Sequence, residues 1–156
     1  MRRRKAEKRE LASDPKYNSK LVAKFINSLM VDGKKTTAER IIYNAFQIIE
    51  KKSQEGEALK VFNKALENVR PRLEVKGRRV GGATYQVPVE VPINRGNSLA
   101  IRWIRDFCRK RKGRAMEVKL ADELLAAYKG EGPSVKKRDD THKMADSNKA
   151  FSHLRW

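Results

Sequence analysis

Apolar residues recur along the first half of the chain at the spacing of one helix face. From Ser19 onward, Leu21, Val22, Phe25, Ile26, Leu29 and Met30 fall on one side, with Lys20, Lys24, Asn27 and Ser28 opposite, which predicts a first helix. Asp32-Gly33 stops it, and Lys34-Lys35 occupy the turn. Thr36, with Glu39 three residues later, reads as a capping box opening a second helix, whose apolar face is Ile41, Ile42, Ala45, Phe46, Ile48 and Ile49. Ser53 to Gly56 breaks that pattern. A third helix runs from about Glu57 to Val69, with Leu59, Phe62, Leu66 and Val69 inward. Pro71 closes it, because proline supplies no amide and clashes with the preceding turn.

The period then changes from 3.6 to 2. Leu73, Val75, Gly77 and Arg79 alternate with Glu74, Lys76 and Arg78; beyond Gly81-Gly82, Tyr85, Val87, Val89 and Val91 alternate with Thr84, Gln86, Pro88 and Glu90. This is a β-hairpin. A two-residue Gly81-Gly82 loop pairs Val75 with Pro88 and sets valines opposite Lys76 and Glu74. A three-residue loop that includes Ala83 puts Leu73, Val75, Tyr85, Val87 and Val89 on one face. The odd loop is preferred, since a one-residue slip flips every side chain.

Asn97 or Ser98 can cap a fourth helix that reaches about Lys112, with Ala100, Trp103, Ile104 and Phe107 on one side. A fifth, Ala115 to Lys129, is the most apolar and is expected at the centre; Gly130 stops it. Pro133 suits the first turn of a sixth, extending to Ser147, whose poor apolar content (Val135, Met144, Ala145) predicts weak packing that leans on a partner. The expected fold is mainly α with one β-hairpin: a six-helix body with a protruding basic hairpin arm at about 72–91, and flexible basic N-terminal and C-terminal extensions. Residues 1–18 lack any hydrophobic period and read as a basic arm that is disordered until it meets a partner. Residues 19–147 form a single domain and 148–156 a tail.

Charge changes the picture most. The 156 residues carry 37 Lys or Arg against 19 Asp or Glu, a net charge of +18, and 36% of the chain is charged. The 39% hydrophobic content sits only moderately below the globular norm of about 45–50%, so the excess charge rides on a folded domain. A polyanionic partner follows, with nucleic acid ahead of an acidic membrane surface. The longest apolar run is Leu124 to Tyr128, far short of the ~20 residues of a membrane span. No apolar stretch follows the basic start, as a secretory signal needs, and Glu7 and Glu10 oppose an organelle transit peptide. Cys108, the single cysteine, permits neither an internal disulfide nor a thiolate cluster, which fits a reducing cytoplasm.

A search for catalytic chemistry fails. His142 and His153 are the only histidines, and neither has metal-ligand spacing to acidic partners. Cys108 beside Phe107 reads as a small core residue rather than a reactive thiol. Gly81-Gly82 lies in neither a Walker pattern nor a Rossmann triplet. No cofactor, metal or small-molecule substrate is implied.

The basic constellations are richer. Residues 102–114 hold Arg102, Arg105, Arg109, Lys110, Arg111, Lys112 and Arg114 against one acid, Asp106. Helical spacing sets Arg102, Arg105, Arg109 and Lys112 in one row, a match for a phosphate track, because a merely solvated face mixes signs to form i,i+4 pairs. The hairpin adds Arg72, Lys76, Arg78 and Arg79, whose forked guanidiniums suit phosphates and stacking on bases. Lys34, Lys35 and the arm residues Arg2, Arg3, Arg4 and Lys5 extend the footprint. Lys136, Lys137 and Arg138 are partly balanced by Asp139, Asp140 and Asp146. Arg155, Trp156 and Phe151 can stack on bases, dock on protein or fray. Arg95 completes the candidate set. Without a helix-turn-helix, zinc finger or heptad repeat, the pattern favours folded RNA over DNA.

Ser19-Lys20-Leu21-Val22-Ala23-Lys24-Phe25-Ile26, then Gly33-Lys34-Lys35, then Ile41-Ile42 and Ala45 together resemble the signature of the bacterial small-subunit ribosomal protein seven family. The resemblance continues through Arg70-Pro71, the hairpin Glu74 to Pro88 with its Arg78-Arg79-Val80-Gly81-Gly82 tip, Ser98 to Trp103, Val135-Lys136-Lys137 and Arg155-Trp156. It implies a six-helix body with a protruding hairpin. It also implies a cytoplasmic, non-enzymatic constituent of the small ribosomal subunit that binds the ribosomal RNA of the head early in assembly, near the exit-site tRNA and the mRNA exit path. Arg78, Arg79, Gly81 and Gly82 would reach toward that site, and the arm, Lys34, Lys35 and the Arg102 to Arg114 segment would hold ribosomal RNA. Proteins eleven and nine of the small subunit are the implied neighbours. A DNA-architectural protein gripping a minor groove and an RNA-processing enzyme are the alternatives.

Overall fold

A computed structural model of the chain describes residues 10–53 and 57–154. Its elements run in the order α1 (Lys20–Leu29), α2 (Lys35–Lys52), α3 (Ala58–Val69), β1 (Leu73–Val80), β2 (Ala83–Glu90), α4 (Ile93–Lys110), α5 (Met116–Tyr128) and α6 (Pro133–Ser147), followed by a short 3-10 helix (Lys149–Leu154). The fold is mainly α with one antiparallel hairpin, as expected.

α1 begins where Ser19 Oγ accepts the amide of Val22 at 3.5 Å, and it buries Val22, Phe25, Ile26 and Leu29. It stops at a turn in which Asp32 and Gly33 both take positive φ, +52° and +72°. The expected capping box at Thr36 and Glu39 does not form. α2 starts at Lys35, so the N-cap position falls on Lys34, two residues before Thr36, with no side-chain cap. The tight turn brings the chain into the helix before Thr36, and Glu39 instead pairs with Lys35 at 3.6 Å along one face.

Phe25 stacks on Phe62 at 5.5 Å between ring centroids, and Phe46 tilts against Phe62 at 5.4 Å, joining α1, α2 and α3. All three rings are buried, and each contributes roughly 1.5–3 kcal/mol of burial free energy. α5 lies at the centre, against α2, α3, α4 and α6, burying Leu120, Ala121, Leu124 and Ala127.

Residues 10–18 depart from the expected disordered arm. Asp14 is buried; its Oδ2 accepts the amides of Lys16 (3.1 Å) and Tyr17 (2.9 Å), and its Oδ1 accepts the Tyr43 hydroxyl (2.7 Å). Tyr17 packs edge-on to Phe46 at 5.0 Å, so this stretch is fastened to α2. Arg2, Arg3, Arg4, Lys5, Arg155, Trp156 and the Gln54 to Gly56 break lie outside the described residues.

The hairpin closes through the two-residue loop, not the expected odd one. Val80 pairs with Ala83, Val75 with Pro88, Lys76 with Val87 and Glu74 with Val89. Gly81 and Gly82 both have positive φ (+57° and +91°), the demand of the tight turn whose twist matches the strands. The odd loop assumes one apolar face, whereas the ribbon has two half-apolar faces. Val87, Tyr85 and Glu74 share the one turned to the body, where Val87 is buried and Tyr85 meets Phe151 at 5.2 Å. Leu73 and Val75 lie on the other, half-buried.

α4 begins at Ile93, not at Asn97 or Ser98, and ends at Lys110 rather than Lys112. Pro92 occupies its N-cap position, and Gly96 lets its first turn lie on Arg70 and Pro71. α6 spans Pro133 to Ser147 as predicted. It is not a weakly held helix, however. Its buried residues are small (Ser134, Val135, Thr141, Ala145), which lets it pack closely on α3, α4, α5 and both strands. The 3-10 helix lies along β2.

Candidate nucleic-acid interface

Two side chains hold the C-terminal ends of α1 and α4 together. Arg105 Nη1 donates to the Ser28 carbonyl and Oγ, both at 3.2 Å, and Arg109 Nη2 donates to the Leu29 carbonyl at 3.0 Å. The turn after α1, which carries Lys34 and leads into α2 at Lys35, and the loop after α4, carrying Arg111, Lys112 and Arg114, therefore leave the same end of the body. Lys34, Lys35, Lys110, Lys112 and Arg114 are all exposed there. The expected four-residue row is only partly realised. Arg102 is exposed, Arg105 and Arg109 are engaged with α1, and Lys112 lies two residues beyond the helix.

The loop between α4 and α5 is held from beneath. Glu123 is fully buried on α5; its Oε2 accepts Arg111 Nη2 at 2.6 Å, and its Oε1 accepts the Ser134 hydroxyl at 2.6 Å and amide at 3.2 Å. Lys119 Nζ donates to the Arg111 carbonyl at 2.6 Å. Asp122 joins Lys52 (2.9 Å) to Arg114 (3.3 Å). Arg111, Lys112, Gly113, Arg114, Lys119 and Asp122 line an open basic cavity of about 410 Å³. Sequence reasoning passes over Glu123 and Asp122, although Glu123 falls at helical spacing between Leu120, Leu124 and Ala127, where an acid must be buried.

The other end of α4 fixes the hairpin. Arg95 Nε and Nη2 reach Glu74 Oε1 and Oε2 at 2.8 and 2.9 Å, and the hydrogen bonds to this carboxylate raise the guanidinium's pKa. α4 has 18 residues, about 27 Å of helix, and so separates the hairpin base from the basic loop by that length. Toward the tip, Lys76 and Arg79 are exposed and Arg78 half-buried, while the Gly81-Gly82 turn is open to solvent. Arg72 is exposed at the base, where its amide donates to His142 Nε2 at 2.9 Å.

The remaining candidates divide. Lys136 and Lys137 are exposed on α6. Arg138 is turned inward to Asp139 and the Asn68 carbonyl, and Asn68 caps α5 through the carbonyls of Ala127 (2.9 Å) and Tyr128 (3.0 Å). Phe151 packs on Tyr85 rather than standing free to stack.

Neither the thiol nor His142 is arranged for catalysis. Cys108 is buried, and desolvation, followed by the charge of Glu123, pushes its pKa up to about 12. Burial and Arg138 lower the pKa of His142, and accepting the Arg72 amide through Nε2 requires the neutral ring. Among the described residues, no group of three or more His, Cys, Asp or Glu is placed to hold a metal, and no helix is long and apolar enough to cross a membrane.

Comparison with known proteins places the chain in a family. Residues 1–149 match the family model described as ribosomal protein S7p/S5e. Small ribosomal subunit protein uS7 of Campylobacter concisus is 60% identical over 156 residues, covering 100% of both chains. The proteins of the same name from Nitratiruptor sp. and Thermotoga petrophila are 59% and 57% identical over the same full span. Six helices, one glycine-tipped hairpin and a sequence match along nearly all its length establish that the chain belongs to the ribosomal protein S7p/S5e family.

Proposed function

We propose that this chain is a structural, non-enzymatic constituent of the small ribosomal subunit that binds the ribosomal RNA of the subunit head. The observation that carries the reading is the convergence of Lys34, Lys35, Lys112 and Arg114 at one end of α4, with a second basic element, the hairpin, about 27 Å away at its other end. Cations that neutralise phosphates release counterions, and the packed helices between the two regions keep them at a constant separation. A rigid spacing of this kind recognises the shape of folded RNA rather than a base sequence. The family membership supports the same reading.

In this reading the protein binds early and helps nucleate the head. The Arg78-Arg79-Gly81-Gly82 tip reaches toward exit-site tRNA and the mRNA exit path. Lys136, Lys137 and the C-terminal segment meet neighbouring RNA or protein, with small-subunit proteins eleven and nine as the neighbours. Arg2, Arg3, Arg4, Lys5, Arg155 and Trp156, outside the described residues, are further candidate RNA contacts in this reading.

The test is binding of the purified chain to a transcript of the head domain of small-subunit ribosomal RNA, against random duplex DNA, across a salt series. Tight, RNA-selective binding near physiological salt supports the proposal, with a slope of roughly −0.7 to −0.9 per phosphate engaged. Equal, steeply salt-sensitive binding to both would leave only the +18 charge at work and favour a DNA-architectural role.

A further inference from the structure

We infer that Glu123, with Asp122 beside it, is a positioning residue of the interface: the two carboxylates set the α4–α5 loop in its binding conformation before RNA arrives. The inference rests on the reading of that loop as an RNA contact and adds to it two acids that act through the loop's arginines.

An electrostatic conflict marks the site. A carboxylate beneath a phosphate-binding loop repels the ligand, and a fully buried one also loses its hydration. Glu123 is nevertheless at 0% exposure, directly behind Arg111, in the most basic stretch of the chain. Its surroundings show what it does there. Oε2 holds the Arg111 guanidinium at the start of the loop, while Oε1 holds the amide and hydroxyl of Ser134 at the start of α6. One side chain thus ties together the end of α4, the middle of α5 and the start of α6. Gly132 belongs to the same arrangement: a Cβ there would lie 3.3 Å from Ala126 Cβ and 3.5 Å from Glu123 Oε1.

Asp122 repeats the arrangement at the far end of the loop. It takes Arg114 at 3.3 Å on one oxygen and Lys52 at 2.9 Å on the other, so Arg114 is referred back to α2. Lys119 fastens the loop backbone through the Arg111 carbonyl at 2.6 Å. Of the residues 111–114, both arginines are held by acids of α5, and Gly113, at φ +89°, makes the bend between them. Lys112 stays exposed between the two fastened arginines. A loop held in this way has already given up the side-chain freedom that an unfastened basic loop surrenders on binding.

The test exploits a sign. Simple electrostatics says that removing an acid from a basic interface tightens RNA binding; a positioning role says that it weakens it. The full-length chain is compared with Glu123→Gln and Asp122→Asn, with thermal unfolding confirming that each is folded at the binding temperature. The probes are the head-domain transcript and random duplex DNA at fixed salt. The expected result is a loss of roughly 2- to 10-fold in transcript affinity for each variant, with duplex affinity unchanged or raised. A merely structural role in a folded variant would not change that ratio. Unchanged or tighter transcript binding by folded Glu123→Gln would overturn the inference. Should that variant not fold, Asp122→Asn decides in the same way, since its side chain is 31% exposed. Lys112→Ala and Arg114→Ala separate the inference from the reading beneath it. Weakening by these with none by the acid variants sinks only the positioning role, whereas no effect of Lys112→Ala or Arg114→Ala removes the loop from the interface and the inference with it.

Discussion

Arg95 grips Glu74 side-on, Nε to Oε1 at 2.8 Å and Nη2 to Oε2 at 2.9 Å, and so welds the base of the hairpin to the first turn of α4. The Glu74 side chain is nearly buried while that of Arg95 remains 52% exposed. Arg95→Ala leaves Glu74 without its charged partner. A bidentate charged pair is worth about 1.5–3 kcal/mol when shielded, and exposure of the arginine side lowers the expected loss to about 1–2 kcal/mol. Denaturant unfolding checks the magnitude. Because this cation is engaged within the chain, the salt slope of RNA binding is expected to stay the same.

Arg79 stands in contrast. It is exposed beside the Gly81-Gly82 turn, and its replacement by Ala is expected to change stability by no more than about 0.5 kcal/mol. RNA affinity should fall, and the salt slope should flatten by roughly 0.7–0.9 for each phosphate that the side chain neutralises in the natural protein. A large drop in melting temperature would show that this side chain braces the ribbon instead of reaching from it.

Gly96 tests the packing of α4 on the entry to the hairpin. Within a helix, Ala is favoured over Gly by roughly 0.5–1 kcal/mol. Here the added Cβ would meet Arg70 Cγ at 2.7 Å, Arg70 Cδ at 3.1 Å and the Pro71 carbonyl at 3.4 Å. Overpacking of this kind costs about 1–3 kcal/mol, so it outweighs the gain in propensity. Gly96→Ala should therefore lower the melting temperature, whereas better helix formation alone would raise it.

The hydrogen bond from the Arg72 amide to His142 Nε2 carries a pH dependence. Burial and Arg138 lower the folded-state pKa of His142 below its ordinary 6.5. Its contribution to stability is complete above that unfolded value and is lost as pH falls from there through the folded value. Arg72, Arg138, Asp139 and Asp146 face the ring, so acidic groups oppose the shift without reversing it. The stability difference between the natural chain and His142→Ala is expected to shrink between pH 7.5 and pH 5.5 in paired denaturant titrations.

Cys108 should resist alkylation. Its thiol is buried, and burial raises its pKa to about 12, so the reactive thiolate is scarce at pH 8. Iodoacetamide is expected to modify the denatured chain and leave the native one untouched. Rapid native labelling would mean that α4 and α5 separate readily.

Much of the fold is legible in the sequence because helices announce themselves locally. The 3.6-residue recurrence in α1, α2 and α3, the length and apolarity of α5, and Pro133 at the start of α6 all depend on neighbours in sequence, and each places its element within a few residues. Errors arise where a local signal competes with a tertiary one. Thr36 and Glu39 have capping chemistry, but the turn at Asp32-Gly33 delivers the chain into α2 two residues too soon to use it. Asn97 and Ser98 are good caps that end up inside α4, because Gly96 lets the helix begin beneath Pro71. The hairpin register defeats a reading that assumes a single apolar face, because Glu74 turns inward to meet Arg95.

The sequence by itself determined the helical body, the single glycine-tipped hairpin, the family and the cationic character, because periodicity, turn chemistry and net charge are properties of the chain alone. Only the tertiary structure decided which cations acquire partners elsewhere in the chain. Lys34, Lys112 and Arg79 face solvent, whereas Arg95, Arg105, Arg109, Arg111 and Arg138, three of them still exposed, are also engaged by Glu74, Ser28, Leu29, Glu123 and Asp139. A guanidinium looks the same in sequence whether it faces solvent or a buried carboxylate; the difference lies in partners that are distant along the chain and adjacent only once the helices pack.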